Sequence, residues 1–421
     1  MTISRRRMLG VSAAAVTAAS MSSLARAASK RVVVIGGGAA GATVARYLAK
    51  DSKGDIDVVL VEASERYTTC FFSNWYLGGF RTMDQITHDY KGLESGYGIR
   101  VVHALAQSVD AASQTVGLSD GSTIEYDRLV AAPGIDFRYD LIDGYDESMA
   151  DNEMPHAYKA GPQTALLRKQ LEAMDDGGVF LMAPPPNPYR CPPGPYERAS
   201  TVAHYLKTHK PKSKILIVDP KDKHSKQALF REAWETHYPG MVEWLPGKEV
   251  GALKAVRNGE IVTEKASFKG QVLNPIPAQK AGKIAQIAGL TDDSGWCPIK
   301  DASSFESALV PNVHVLGDAC INGAMPKSAF SANSQAKVVS QAVRKALTGS
   351  RQFEPRFRNT CWSLGAEQDS FKVGADYRAE GDKVVKVDGF ISSTGEESSV
   401  RVKTAREAEG WYQAITSDMF S

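Results

Sequence analysis

Three observations predict an α/β fold made of two Rossmann-like dinucleotide-binding domains and a small C-terminal α+β domain. First, Arg31–Ile35 and Gly177–Ala183 are continuous apolar runs, the character of strands buried on both faces of a parallel sheet. Second, each is followed by a turn-rich loop and then another apolar run ending in an acidic residue, Asp57–Val61 before Glu62 and Lys214–Val218 before Asp219. Third, 421 residues leave room for several domains at roughly 100–200 residues each. With 43% hydrophobic and 23% charged residues, the chain is an ordinary globular one. That balance excludes a disordered chain, a collagen and a small disulfide scaffold.

The first segment reads as an export signal. Residues 1–27 contain Ser4-Arg5-Arg6-Arg7-Met8-Leu9, a mildly apolar Ala-rich stretch, and Ala25-Arg26-Ala27. Paired arginines, an apolar stretch and a small-x-small cleavage pattern occur in the order of a twin-arginine signal peptide. The mature chain is expected to begin at Ala28 and to work in the periplasm, where disulfides persist. The segment carries four arginines and no acidic residue, so the formal charge of +2 becomes about −2 without it. Nucleic acid is therefore not an expected partner. No later run reaches the roughly 18 apolar residues of a membrane-crossing helix.

Gly36, Gly38 and Gly41 form a GxGxxG turn, with Ala39 and Ala40 inside it, between the strand ending at Ile35 and a helical stretch over 42–50. Gly36 permits the tight turn, Gly38 lets a pyrophosphate approach the backbone, and Gly41 lets helix and strand pack closely. The helix N-terminus supplies amide donors and a positive dipole for phosphates. Glu62 follows Gly41 by 21 residues, the spacing of a carboxylate that binds ribose hydroxyls. Two distant segments favour FAD as the dinucleotide. Leu129–Ala132 ends in Pro133-Gly134, like the returning strand of two-dinucleotide flavoproteins. Val313–Leu316 followed by Gly317-Asp318-Ala319 resembles their late Gly-Asp motif, in which the Asp accepts a ribityl hydroxyl. A helix starting near Ser328 would aim its positive end at the flavin. Lys327 precedes it, either beside the flavin or solvated.

The second unit lacks a nucleotide loop. After Ala183 comes Pro184-Pro185-Pro186-Asn187-Pro188-Tyr189-Arg190-Cys191-Pro192-Pro193-Gly194-Pro195. Prolines fix φ and lack N–H donors, so this loop cannot cradle a pyrophosphate. Asp219 alone does not restore a site. The unit reads as a nicotinamide-binding domain that has lost its ligand.

Five cysteines stand at 70, 191, 297, 320 and 361. Spacing leaves all ten pairings of a single disulfide open. No CxxC or HxxxH cluster suggests a metal, and no CxxCH haem-attachment motif occurs, so any haem belongs to a separate chain. Cys297 and Cys320 read as buried thiols, although a second disulfide would also suit an oxidising compartment.

Taken with the export signal and the glycine turn, the segments TTCFFSN (68–74), RCPPGPYERAS (190–200), VLNPIPAQKAG (272–282), GDA (317–319) and NTCWS (359–363) resemble the flavoprotein subunit of flavocytochrome c sulfide dehydrogenase over nearly the whole mature chain. Sulfide:quinone oxidoreductases are the next relatives. The resemblance implies a glutathione-reductase-like arrangement and an FAD bonded through sulfur to Cys70. It also implies a redox-active disulfide between Cys191 and Cys361, a proton-handling role for Glu197, and a c-type cytochrome partner. Read without the resemblance, Glu197 is equally a helix-start residue favoured by the dipole.

The domains are expected at 28–145 and 270–348 for the split FAD-binding domain, with the ligand-free nucleotide domain at 146–269 between them. Residues 349–421 form a flavin-covering, cytochrome-facing domain, whose ending through Trp411 and Tyr412 reads as packing. The expected activity is oxidation of sulfide to sulfur or polysulfide. Hydrosulfide attacks a disulfide sulfur, with Cys191 as the persulfide carrier and Cys361 as the flavin-facing thiolate. The alternatives are a membrane-docked sulfide:quinone oxidoreductase and a redox-inactive flavoprotein scaffold for a cytochrome.

Overall fold

The structure, a computed structural model, describes residues 29–421. The predicted export signal at 1–27 lies outside the described residues. β1 (Lys30–Ile35), α1 (Gly41–Ser52) and β2 (Ile56–Val61) form a parallel unit in which Val32, Val33 and Val34 are completely buried. That burial explains the unbroken valine run: both faces of β1 are covered. The sheet extends to eight strands. β1 pairs in parallel with Arg128–Ala131, which pairs in parallel with Val313–Val315. Residues 30–131 and 297–321 therefore share one sheet, although some 165 residues of chain separate them.

The intervening chain builds a second, four-stranded parallel sheet in the order Val242–Leu245, Lys214–Val218, Val179–Ala183, Val272–Pro275. A small antiparallel sheet over Leu253–Lys269 leans on it. This is the mixed α/β architecture with two Rossmann-like units that the sequence predicts.

The C-terminal region is more regular than its sequence suggests. Strands Arg356–Ala366, Asp369–Glu380 and Lys383–Ile391 form an antiparallel meander. A 23-residue helix, Ser398–Phe420, returns across the molecule. Its end is anchored on the first unit. Tyr412 Oη lies 3.2 Å from Thr69 Oγ1, and Asp418 accepts from Tyr47 Oη at 2.9 Å and from Asn333 Nδ2 at 2.9 Å. Among the described residues no helix is long and apolar enough to cross a membrane.

Candidate active site

The glycine turn has a steric basis. Gly36 has φ +96°, and a Cβ there would lie 2.4 Å from the Ala132 carbonyl oxygen. A Cβ on Gly41 would lie 1.8 Å from the Gly36 oxygen, so helix and turn can meet only without a side chain. Around Gly38 the nearest atom is the movable Tyr67 side chain, and the backbone is open. Ala39 and Ala40 are buried at the start of α1. Glu62 accepts from Gly37 N at 2.7 Å and from Ser64 N at 3.0 Å, which ties the second strand to the turn. A recess runs from Gly36 and Glu62 past Pro133 to Ala104–Gln107, Ile284 and Ile287. Pro133 is followed by Gly134 at φ +66°.

Gly317 has φ +76° and donates its N–H to Gln335 Oε1 at 2.8 Å. Asp318 follows, enclosed, with Oδ1 lacking any partner and Oδ2 3.9 Å from Arg190 Nη1. Burial raises its carboxyl above the ordinary range, against the pull of Arg190 and Lys327. Arg190 Nη2 is also buried and unpartnered. Two orphaned polar atoms in one enclosed place indicate an absent polar partner. With the open glycine turn at the N-terminus of a 12-residue helix, they fit a flavin dinucleotide. Ser328 caps the helix Ala329–Thr348 by accepting from Ser331 N at 3.1 Å, so that helix starts where the sequence places it. Lys327 is neither solvated nor free. Its ammonium donates to the carbonyls of Asp318 (2.9 Å) and Cys320 (2.8 Å) and lies 3.8 Å from the Trp296 ring centre.

Three cysteines, 70, 191 and 361, line one cavity of about 890 Å³ including its mouth. Phe71, Phe72, Trp75, Phe330, Trp362 and Trp411 give its walls an aromatic part, and Arg190, Glu197 and Arg198 a charged one. Cys191 ends the proline-rich loop at φ +56°, a conformation that L side chains adopt rarely. Two bonds hold it: its N–H donates to Lys327 O at 2.9 Å, and its carbonyl accepts from Gly194 N at 2.8 Å. A Cβ on Gly194 would come within 3.1 Å of Cys191 Sγ, so this glycine makes room for the sulfur. Cys361 sits on the strand Arg356–Ala366, with Asn359 Nδ2 3.4 Å from its sulfur. Both carry free thiols, as do the other three cysteines. Cys297 and Cys320 lie in register on neighbouring strands, fully buried and outside this cavity.

Glu197 lies on the first turn of the helix Gly194–His209, and its side chain points inward. Oε1 accepts from Leu364 N at 3.0 Å and Oε2 from Asn74 Nδ2 at 3.0 Å. Burial raises its carboxyl, while those two bonds and Lys226 pull it down. Burial also pushes the Cys191 thiol up, with the neighbouring Cys361 and Glu197 adding to the effect. Glu197 thus stands at the helix start, as the residue-level reading has it, but as an enclosed carboxyl at the cavity wall and not a solvated one.

Sequence reasoning missed Arg190, Asn74 and Lys226. Arg190 adjoins Cys191 inside the quoted RCPPGPYERAS segment and could have been singled out. Asn74 is in TTCFFSN. Lys226 had no signal, because it reaches the Cys361 strand from a different loop, and only the fold brings it there.

In the second unit the carboxylate that follows the second strand is engaged by other side chains. Asp219, with no exposed surface, accepts from Tyr196 Oη at 2.5 Å, Trp244 Nε1 at 2.9 Å and Lys221 Nζ at 2.7 Å. His224 stacks on Tyr196 with ring centres 3.7 Å apart.

Fold and site together define a flavoprotein of the pyridine nucleotide-disulfide oxidoreductase class. The family model for that class matches residues 30–166. The models for the sulfide dehydrogenase [flavocytochrome c] flavoprotein chain, central region, and for the flavocytochrome c sulfide dehydrogenase flavin-binding region match residues 164–277 and 353–420. The chain belongs to the family of flavocytochrome c sulfide dehydrogenase flavoprotein chains, FAD-dependent sulfide oxidoreductases.

Solved structures share its fold. The sulfide:quinone oxidoreductase of Aquifex aeolicus is 15% identical, with a TM-score of 0.72 over 92% of each chain. An NAD-dependent persulfide reductase from A. fulgidus is 15% identical, with a TM-score of 0.62 over 90% of this chain and 77% of its own. Putidaredoxin reductase, in its covalent complex with putidaredoxin, is 17% identical, with a TM-score of 0.63 over 90% of this chain and 93% of the other.

Proposed function

We propose that the protein oxidises sulfide to sulfane sulfur in the periplasm, using a Cys191–Cys361 disulfide and an FAD bonded to Cys70, and passes the electrons to a c-type cytochrome subunit. The observation that carries this reading is the convergence of Cys70, Cys191, Cys361 and Glu197 on one apolar cavity. Hydrosulfide is a small nucleophilic anion, and a disulfide is its natural electrophile. Attack on Cys191 Sγ forms an S–S bond to the incoming sulfur and breaks the bond to Cys361. It leaves a persulfide on Cys191 and a thiolate on Cys361, with total charge unchanged.

The aromatic walls exclude water from the persulfide. Glu197, whose carboxyl is raised by burial, takes the persulfide proton and returns it to solvent. Asp318, the glycine turn and Arg190 would hold FAD, which when bound supplies the two-electron acceptor for the sulfurs. The stiff loop and Lys327 O keep Cys191 in place through the cycle.

Acceptor choice is the test. Protein reduced anaerobically by sulfide is mixed with oxidised cytochrome c in one arm and a soluble quinone in the other. Rapid reoxidation of the flavin by the cytochrome alone supports the reading. Reoxidation by the quinone alone makes the protein a quinone reductase. Failure of sulfide to reduce the flavin leaves a redox-inactive scaffold.

A further inference from the structure

Lys226 occupies an unusual place. It precedes the helix Gln227–His237 in a left-handed conformation, φ +56°, and only 6% of its surface is exposed. Its ammonium donates to Cys361 O and to Ser363 Oγ, both at 2.8 Å. Both acceptors are neutral, and no carboxylate lies within ion-pair distance of Lys226 among the described residues. A buried cation held by neutral oxygens is costly unless an anion arrives beside it.

The cations that line the cavity itself are committed elsewhere. Arg198 has its guanidinium engaged by Asn74, His156 O, Asn274 and Ala157 O. Arg190 faces Asp318. Charged or titratable groups face Lys226 from three elements: Glu197 from its helix, Cys191 from the proline loop and Cys361 from its strand. Arg401 lies over the same Phe371 ring that Lys226 contacts, and is itself paired with Glu232, Asp369 and Glu396. His224, two residues before Lys226, is held neutral by burial, with its pKa lowered to about 4.

We infer that Lys226 is the counter-ion of the Cys361 thiolate, a positioning residue that directs hydrosulfide to Cys191 by making Cys361 the better leaving group. The inference rests on the proposed function, because it concerns the bond that sulfide opens. In that step HS⁻ and the disulfide become a Cys191 persulfide and a Cys361 thiolate. The negative charge moves from the incoming sulfur to a sulfur whose own carbonyl is bonded to the ammonium. A thiolate with a neighbouring cation leaves faster. Burial lowers the Lys226 pKa to about 8, with Cys361, Glu197 and Cys191 opposing the fall. The cation is therefore present at neutral pH and is lost above about pH 8.

The test uses the flavin-loaded full chain with its cysteines reduced anaerobically. Alkylation of Cys361 by iodoacetamide is followed against pH by mass spectrometry in wild type, Lys226→Gln and Lys226→Arg. Lys226→Gln should move the Cys361 alkylation profile up by about one pH unit, the size expected for loss of an adjacent opposite charge. Lys226→Arg should restore it. Sulfide-driven flavin reduction in Lys226→Gln should slow at neutral pH by up to about ten-fold, the limit in which the whole shift appears in the rate.

A purely structural lysine would lower the melting temperature and leave the pH profile in place. An unchanged profile in folded, flavin-loaded Lys226→Gln overturns the inference. If that variant does not fold, Ser363→Ala keeps the lysine and removes one anchor. A smaller upward shift then supports the inference and no shift overturns it. The alkylation arm needs no sulfide turnover. Wild-type flavin that sulfide cannot reduce would sink the proposed function while the profile still judges Lys226.

Discussion

The two parallel-sheet units begin alike and diverge at the end of their first strand. In the first, Ile35 runs into Gly36 at φ +96°, the helix starts at Gly41, and Glu62 braces the turn from the second strand. In the second, Ala183 runs into Pro184, the helix waits until Gly194, and the matching carboxylate, Asp219, is saturated by Tyr196, Trp244 and Lys221. One unit keeps an open backbone for phosphates. The other has replaced it with side chains and a stiff loop whose far end presents Cys191 to the cavity. Loss of a nucleotide site and gain of a fixed sulfur are thus two aspects of one change in the same structural position.

The largest expected effect is at the open turn. Gly41→Val places a carbon where the Gly36 oxygen already sits, so the variant should purify without flavin or not fold at all. The ratio of flavin to protein absorbance reads this directly. Recovery of full flavin content would mean that the turn is more plastic than its geometry implies.

Next comes Cys70. Cys70→Ala should retain FAD in the native protein but release it into the supernatant on acid precipitation, where wild type keeps it in the pellet. Release from wild type as well would remove the covalent bond from the proposal.

The second unit should respond in stability and not in cofactor content. Asp219→Asn leaves Lys221 without its charged partner in an enclosed place, at a cost of about 3 kcal/mol, the usual scale for breaking a buried pair. Denaturant unfolding checks the loss, and flavin content should stay at the wild-type level. NADH added to wild type should leave the flavin oxidised, because the proline-rich loop after Ala183 offers no glycine turn for a pyrophosphate and Asp219 is already engaged by Tyr196, Trp244 and Lys221.

The smallest effect is expected where the last helix is pinned. Burial works to raise the Asp418 carboxyl, but bonds from Lys337, Asn333 and Tyr47 outweigh it and hold it below the ordinary range. A lowered carboxyl contributes stability that is present above its unfolded pKa, about 3.9, and disappears as pH falls through the lower folded value. Asp418→Asn should lower stability by about 1–2 kcal/mol near neutral pH, the scale of hydrogen bonds to a charged group. The difference from wild type should vanish in strong acid.

Much of the first unit was legible in the sequence because its determinants are local. The valine run, the three glycines and Glu62 each have one backbone reason to be where they are. Asp318 was legible for the same reason, as part of a short strand-to-helix turn. The cavity was only half legible. Cys191 and Glu197 share one segment, but their meeting with Cys361 depends on the antiparallel meander at 356–391 packing over the second unit. That meander read as scattered short runs because its strands lack a regular alternation: the middle one buries adjacent pairs such as Ser370-Phe371 and Gly374-Ala375, and the last buries only Val384. Lys327 read as either beside the flavin or solvated, and its ammonium is bonded to the backbone carbonyls of Asp318 and Cys320, which the sequence could not show. Lys226 was invisible because its significance lies in a carbonyl 135 positions away.

The most direct measurement is anaerobic addition of sulfide to wild type, Cys191→Ser and Cys361→Ser, while the flavin absorbance is followed. If sulfide enters through the cysteine pair, the wild-type flavin bleaches and neither variant bleaches on the same timescale despite full flavin content. Equal bleaching in all three would mean that sulfide reaches the flavin without the sulfurs, and the role assigned to Cys191 and Cys361 would be wrong.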